Sequence, residues 1–343
     1  MKVWRVHRYG SPTEALVLDE IEELDPRPGQ VRIAVAAAAL NLNDTDMCRG
    51  IYPTINPPLP FPLGMEVAGR VDRTAPGLEK WLGRRVVAVP DAGHGGYAEQ
   101  AAAIGEMVFD APEQLDDVGA AAFLIAFQTA HLLLHRRGRL QAGETMLIHS
   151  GAGGVGSAAI QLAVAAGARV IATAGGPEKV RLCRELGATL AIDYRAGDFV
   201  QPVLEATGGR GAEVICDLVG GEVALRSFAC IAREGRYLIA GFSGGQVHGE
   251  AGLPPRAVAK GNFALIGGMM GWRDTNDPNA RRAGFNPLPR AVGQEIHDDL
   301  LDLLRRGRIR PVVGKVISFG EIPAALEDLE GRRTVGKTVA RIR

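Results

Sequence analysis

The chain has 343 residues, of which 46% are hydrophobic and 23% charged, and its 39 Lys and Arg are balanced by 39 Asp and Glu. That length favours two domains over one, and a zero net charge removes the electrostatic case for nucleic acid or an anionic membrane as a partner. No apolar run reaches the ~18 residues of a membrane-spanning helix.

The N-terminal Met-Lys-Val-Trp-Arg-Val-His-Arg alternates like a strand and lacks the apolar core of a signal peptide, so a cytoplasmic protein is expected. Short β-type runs follow at Val3 to Arg8, Gln30 to Ala38, Gly64 to Val71 and Arg85 to Val89. Between them, Tyr52 to Pro62 carries five prolines in eleven residues and reads as irregular chain. The apolar run Gly119 to Leu134, interrupted by Gln128 and His131, reads as one buried helix. From about Asp116 onward, strands alternate with helices. The strands fall at Met146 to His149, Arg169 to Ala174, Leu190 to Asp193, Val214 to Asp217, Arg236 to Ala240 and Phe263 to Gly267. The helices fall at Val155 to Ala166, Glu178 to Leu186, Phe199 to Thr207 and Glu222 to Ile231. This alternation predicts an α/β fold with a parallel, doubly wound sheet. A polar loop (Trp272 to Pro289) and a helix from about Ala291 to Arg306 lead to strands at Val312 to Ser318 and Thr338 to Ile342. The C-terminal tail is therefore expected to rejoin the β-rich N-terminal part. Residues 1–124 and 268–343 would form one domain and residues 125–267 the inserted nucleotide-binding one.

One stretch carries chemistry by itself. The strand Thr145-Met-Leu-Ile-His runs into Gly151-Ala152-Gly153-Gly154-Val155-Gly156, and a helix opens directly behind. This is the strand–glycine–helix context of the dinucleotide-binding fingerprint. Gly151 permits the turn, Gly153 lets backbone approach a pyrophosphate, and Gly156 lets the helix pack on the strand. The helix N-terminus offers N–H groups and a positive dipole end to phosphate. The four cysteines, Cys48, Cys183, Cys216 and Cys230, form no C-x-x-C pair, which excludes a compact thiolate zinc cluster. His94, flanked by glycine, reads as a turn residue, and no Ser-His-Asp spacing supports a triad.

Ordered motifs then accumulate: Asn41-Leu-Asn-Asp44-Thr-Asp, Arg49-Gly-Ile-Tyr52-Pro, Leu59-Pro-Phe-Pro-Leu-Gly64-Met-Glu66-Val-Ala-Gly, and Phe127-Gln-Thr129-Ala-His. After the glycine loop come Glu185-Leu-Gly-Ala, Ile192-Asp-Tyr194-Arg195, Asp217-Leu-Val-Gly220 and Gly336-Lys337-Thr-Val. Through them nearly the whole chain resembles the zinc-free quinone oxidoreductases (zeta-crystallin-like) of the medium-chain dehydrogenase/reductase superfamily. The resemblance implies a Rossmann domain inserted in a GroES-like catalytic domain, NADPH as cofactor, and a homodimer. Where the superfamily's alcohol dehydrogenases hold a catalytic zinc with Cys and His, this sequence has Asn41 and Met65. An amide and a thioether do not replace a thiolate and an imidazole at zinc.

An NAD-type acid is missing after the second Rossmann strand, which ends at Ala174-Gly175. Lys179 and Tyr194 match positions that resemble the family's 2′-phosphate contacts, and Arg195 could add charge; the alternative is that Lys179 is a solvated first-turn helix residue and Glu178 the nearby acid. By the same resemblance Thr129 and Lys337 join the cofactor set; Phe242 and Met269 follow later strands, whose carboxyl ends line the crevice of an open α/β sheet, although Met269 and Met270 are more often core packing. Asn41, Asp44 and Tyr52 are the candidate catalytic groups. Asp44 is alternatively a helix-cap carboxylate, and Tyr52 a packing residue on the proline run. The expected chemistry is hydride transfer from NADPH to quinones or α,β-unsaturated carbonyls. The competing readings are an enoyl-thioester reductase, with Arg273, Arg281 and Arg282 near a carrier phosphate, and a non-catalytic NADPH-binding crystallin-like protein.

Overall fold

A computed structural model of the chain describes every residue except 53–56, 240, 245–252, 275–280 and 283. In chain order its strands are β1 Lys2–Val6, β2 Leu16–Glu20, β3 Gln30–Ala39, β4 Phe61–Pro62, β5 Val67–Thr74, β6 Arg85–Ala88, β7 Gln100–Ile104 and β8 Val108–Asp110. They continue as β9 Thr145–Ile148, β10 Arg169–Ala174, β11 Leu190–Asp193, β12 Ala212–Asp217, β13 Ile231–Ile239, β14 Ala264–Gly267, β15 Val313–Ser318 and β16 Lys337–Arg341. The chain divides into two compact units. The first comprises Met1–Ile125, Gly271–Leu301 and Pro311–Arg343; the second comprises Ala126–Met270 and Asp302–Arg310.

In the second unit the sheet order is β11-β10-β9-β12-β13-β14, every neighbouring pair being parallel. Central strands of such a sheet are covered on both faces, which is why β9 and β10 are near-continuous apolar runs. Leu147, Ile171, Ile215 and Tyr237 form one core face with Phe199, Val203 and Phe263. Strand order reverses between β9 and β12, the place where doubly wound sheets open their ligand crevice at the carboxyl ends. In the first unit, β3 is the hub. It pairs antiparallel with β5, β7 and β16, and β1 forms a separate small sheet with β2 and β4. The β16–β3 pairing sets Val339 against Ala39, which brings the C-terminal strand beside the chain that leaves β3.

Several elements differ from the sequence expectation. The run Gly119 to Leu134 is not one helix. It forms helices Asp117–Ala121 and Leu124–His131, then a wide turn at Leu132–Arg137. Glu66 supplies the reason: its Oε1 accepts from the Ile125 N–H at 2.7 Å, capping a second helix start. The helix expected to reach Ile231 stops at Ser227, because Ile231 already pairs with Ala212 in the sheet. Helix Leu42–Arg49 has too few apolar positions to show a period, and only the cap alternative for Asp44 points to it in the sequence. No helix among the described residues is long and apolar enough to cross a membrane.

A buried polar link ties the carboxyl ends of the sheet together. His149 is 1% exposed; its Nδ1 lies 3.0 Å from the Thr173 hydroxyl and its Nε2 2.9 Å from the Ser227 hydroxyl. Ser227 donates its own proton to the Val223 carbonyl, so Nε2 must carry the imidazole proton and Nδ1 must accept. Burial pushes this histidine down to about 4, with Asp217 opposing and Arg226 reinforcing. Unfolded histidine titrates near ~6.5, so folding is favoured above that pH and loses stability as pH falls toward the folded value. The expected loss from this group between pH 7 and 5 is about 2 kcal/mol. Urea unfolding of His149→Asn at the two pH values should show a shallower pH dependence than the parent. The part that remains is expected from His131, also pushed down to about 4 by burial and by His135. An identical slope in the variant would show that His149 is not the titrating group.

Candidate functional site

Two polar groupings stand out, one in each unit. In the second unit, β9 ends in a sharp turn in which Ser150 takes a φ of 58°. The helix Gly154–Ala165 starts with Gly153 as its N-cap. The glycines do different jobs. A Cβ on Gly156 would lie 2.1 Å from the Ser150 carbonyl oxygen, and one on Gly151 would lie 2.9 Å from Cys183 Sγ. Both are demanded by packing inside the fold. A Cβ on Gly153 would find nothing nearer than 3.5 Å, so the fold itself makes no such demand there. The first N–H groups of the helix have no partners within it, and with the small residues Ala152, Gly153 and Gly154 they form an open cradle for an anion.

The end of β10 is equally specific. Ala174 is buried, and Gly176 (φ 95°) caps the helix Pro177–Glu185, whose first turn carries the half-buried Lys179. A Cβ on Gly175 would lie 2.6 Å from the Tyr194 hydroxyl and 3.0 Å from Arg195 Nε, so both polar heads overlie this strand end. Two acids lie nearby: Glu178 is exposed in the same helix turn, and Asp193 Oδ1 accepts from the Gly176 and Arg195 N–H groups at 3.0 Å each. Those bonds hold its carboxyl below the usual range. Strand ends further along are tied together as well. Asp217 accepts from the Val219 and Gly220 N–H groups, and Ser243 N donates to Leu218 O at 3.0 Å, which fixes the chain beside Phe242. Phe242 and Met269 are 44% and 54% exposed, so Met269 is not core. Thr129 is half-buried on its helix; Leu133, one turn on, lies against Gly268.

In the first unit, Asn41 caps the helix Leu42–Arg49, and Asp44 closes the capping box by accepting from the Asn41 N–H at 2.9 Å. The same Asp44 Oδ2 accepts from the Tyr97 hydroxyl at 2.6 Å. Asp44 is fully buried, and that burial raises its carboxyl to about 7. Lys337, likewise buried, donates to Asn41 Oδ1 at 2.7 Å, Glu66 Oε2 at 2.9 Å and Leu40 O at 3.1 Å. Asn43 Nδ2 donates to the Tyr52 hydroxyl at 3.3 Å, while the Tyr52 ring packs against the unit's core. Thus Asn41, Asp44 and Tyr52 gather at one helix start. Lys337, placed in the cofactor set by resemblance, directs its three ammonium protons to these oxygens and holds Asn41.

Glu66 and Tyr97 belong to this cluster and were not singled out by role in the sequence. The signal was a lone acid in an apolar strand, which must find a partner. Arg273 approaches Asp91 at 4.0 Å, and Arg281 and Arg282 are exposed.

The alcohol dehydrogenase GroES-like domain family matches residues 27–135, and the zinc-binding dehydrogenase family matches residues 154–281. Over 331 residues the chain is 33% identical to a quinone oxidoreductase of Pseudomonas aeruginosa, covering 96% of each chain. The chain belongs to the quinone oxidoreductase (zeta-crystallin-like) family of the medium-chain dehydrogenase/reductase superfamily. It is an oxidoreductase. It is also 30% identical over 340 residues to a 2-haloacrylate reductase of a Burkholderia species, covering 97% of each. The solved quinone oxidoreductase of Escherichia coli complexed with NADPH superposes with a TM-score of 0.86 at 28% identity, over 100% of both chains.

The glycine geometry makes a sharp contrast testable. Gly156→Ala forces a methyl group into a backbone oxygen and should cost on the order of 3 kcal/mol or block folding. Gly153→Ala enters open space at an ordinary φ of −82° and should stay within about 1 kcal/mol of the parent. Thermal unfolding of both variants checks the pair; equal losses would mean that the loop is packed differently.

Proposed function

We propose that the protein is an NADPH-dependent, zinc-independent reductase that delivers hydride to quinones or α,β-unsaturated carbonyls. The observation that carries this reading is the Lys337 ammonium, 2.7 Å from Asn41 Oδ1 and 2.9 Å from Glu66 Oε2. Relatives that use zinc need a thiolate and an imidazole here, whereas this chain offers an amide, a thioether and a fixed cation. A dication beside that ammonium would be repelled, and among the described residues no three His, Cys, Asp or Glu side chains converge on one point. The zinc of the family's name therefore does not fit these residues.

NADPH does fit. The loop Gly151 to Gly156 and its helix N-terminus would receive the pyrophosphate, and Gly175, Lys179, Tyr194 and Arg195 would frame a 2′-phosphate. Thr129, Phe242 and Met269 would line the nicotinamide end. NADPH supplies the hydride when bound. Asn41 has two amide protons; one is directed to the Ala39 carbonyl at 3.2 Å, and the other is the donor proposed for the acceptor oxygen on which charge arrives. Lys337, by holding Asn41 Oδ1, fixes which way the amide faces. Tyr52 enters its bond with Asn43 as acceptor, and its role here is to stack on the acceptor or donate to it. Solvent supplies the final proton. A conjugated acceptor also suits the kinship with a 2-haloacrylate reductase. Four buried, unpaired thiols support a reducing, cytoplasmic setting.

NADPH absorbance followed with EDTA-treated protein tests the reading. Loss of absorbance with a simple quinone or a 2-alkenal, unaffected by the chelator, is expected. Oxidation of a primary alcohol by NADP⁺ that EDTA abolishes would overturn it. In the same assay Lys179→Ala should raise the KM for NADPH roughly tenfold and leave that for NADH nearly unmoved.

The homodimer is proposed from strand β14. It pairs with β13 on one side, no other strand among the described residues pairs with it, and Leu265 is 37% exposed. Such an edge suits pairing with the same strand of a second copy. Light scattering should give a dimer for the parent and a monomer for Leu265→Lys; an unchanged mass would place the interface elsewhere.

A further inference from the structure

We infer that Asp44, fastened by Tyr97, keeps the cluster around Asn41 electrically neutral by carrying a proton while the acceptor gathers negative charge. The inference rests on the proposed reading in one respect, that the acceptor oxygen meets Asn41.

The geometry poses the problem. Both hydrogen bonds to Asp44 land on Oδ2, from Tyr97 at 2.6 Å and from the Asn41 N–H at 2.9 Å. Its other oxygen, Oδ1, is equally buried and has no hydrogen-bond partner among the described residues. An ionised carboxylate in this place leaves one charged oxygen bare in a dry interior, which is costly. A proton on Oδ1 removes the charge, leaves only the smaller cost of a neutral unpaired O–H, and keeps both bonds to Oδ2 intact.

The surrounding charges give the proton its function. The groups facing Asp44 are Lys337 on β16, Glu66 just before β5, Tyr97 in the segment before β7, and Cys48 on its own helix. Burial raises the Tyr97 phenol and the Cys48 thiol far above their usual ranges, so both stay neutral. With Lys337 positive and Glu66 negative, the sum is −1 when Asp44 is ionised and zero when it is protonated. An oxygen acquiring negative charge at Asn41 is repelled in the first state and not in the second. Asp44 lies at about 7, so both states are populated near neutral pH.

Asp44 is thus a positioning residue with an electrostatic duty. Its Oδ1 has no hydrogen-bond partner among the described residues to relay a proton onward, and the reduced acceptor takes its proton from solvent. Tyr97 tunes the device, because its hydrogen bond favours the ionised form and draws the carboxyl downward.

The test is the pH profile of kcat with an enal that has no titrating group, under conditions where a deuterated nicotinamide slows turnover. The parent should lose activity as pH rises through about 7. Asp44→Asn, permanently neutral, should lose that limb. Tyr97→Phe should move the limb upward by about one pH unit. A purely structural role would lower kcat in these variants without moving the limb, and that result would overturn the proposal. Infrared difference spectra of parent minus Asp44→Asn give a readout independent of turnover. A protonated carboxyl band at pH 6 that fades by pH 8 is expected, and its absence at pH 6 refutes the inference even in an active enzyme. Failure to reduce any acceptor at any pH, with the band present and titrating, would instead refute the proposed function.

Discussion

The first unit turns on one buried cation. Lys337 sits at the start of the C-terminal strand, yet its ammonium is enclosed by groups from the chain leaving β3 and from Glu66, all far away in sequence. A lone buried ammonium is among the most expensive groups a protein can hold, so Glu66 and the two neighbouring oxygens must be in place for β16 to seat. The backbone agrees: Leu40 N donates to Thr338 O at 2.9 Å, one residue beyond the lysine. Glu66 then uses its second oxygen to start the helix Leu124–His131. A single ion pair therefore fixes the orientation of Asn41, the seat of the last strand and the break in an otherwise continuous apolar run.

In the second unit the governing constraint is steric. The turn after β9 is so tight that the helix backbone behind it passes within van der Waals range of the turn. Gly156 and Gly151 answer that demand. Gly153 does not, and the openness around it separates what the fold requires from what a ligand requires. The end of β10 repeats the pattern with polar groups. Asp193 spends an oxygen on two backbone N–H groups, which fixes the chain that carries Tyr194 and Arg195 over the strand end.

The strands of the parallel sheet were legible to within a few residues, because a strand covered on both faces is an apolar run bounded by glycine or polar turns. Misreadings arose where tertiary contact overrode local pattern. Ile231 belongs to a strand because Ala212 pairs with it, and Gly119 to Leu134 breaks because a distant carboxylate caps Ile125. The site divides in the same way. The glycine loop is local in sequence and could be read from spacing and context alone. The bond from Lys337 to Asn41 spans 296 residues, and Tyr97 lies 53 residues from Asp44, so no periodicity could reveal either. Resemblance to a family singled out Lys337 but could not show its bonds to Asn41 and Glu66, because shared position carries no information about where an ammonium points.

On the proposed reading, the same cluster explains why the chemistry shifts from alcohols to electron-poor acceptors. A zinc ion stabilises an alkoxide by direct coordination and lowers the pKa of a bound oxygen by many units. An ammonium spent on three protein oxygens can do neither. It can orient one amide and offset one carboxylate, so the electrostatic help available to a substrate is that of a donor in a nearly neutral surround. Such help is too weak to generate an alkoxide from an alcohol. It suffices for a quinone or an enal, whose conjugation already spreads the arriving charge. The choice of acceptor is in this view a consequence of an amide and a thioether standing where a metal would need a thiolate and an imidazole, and the proton proposed on Asp44 keeps the surround of Asn41 from becoming negative.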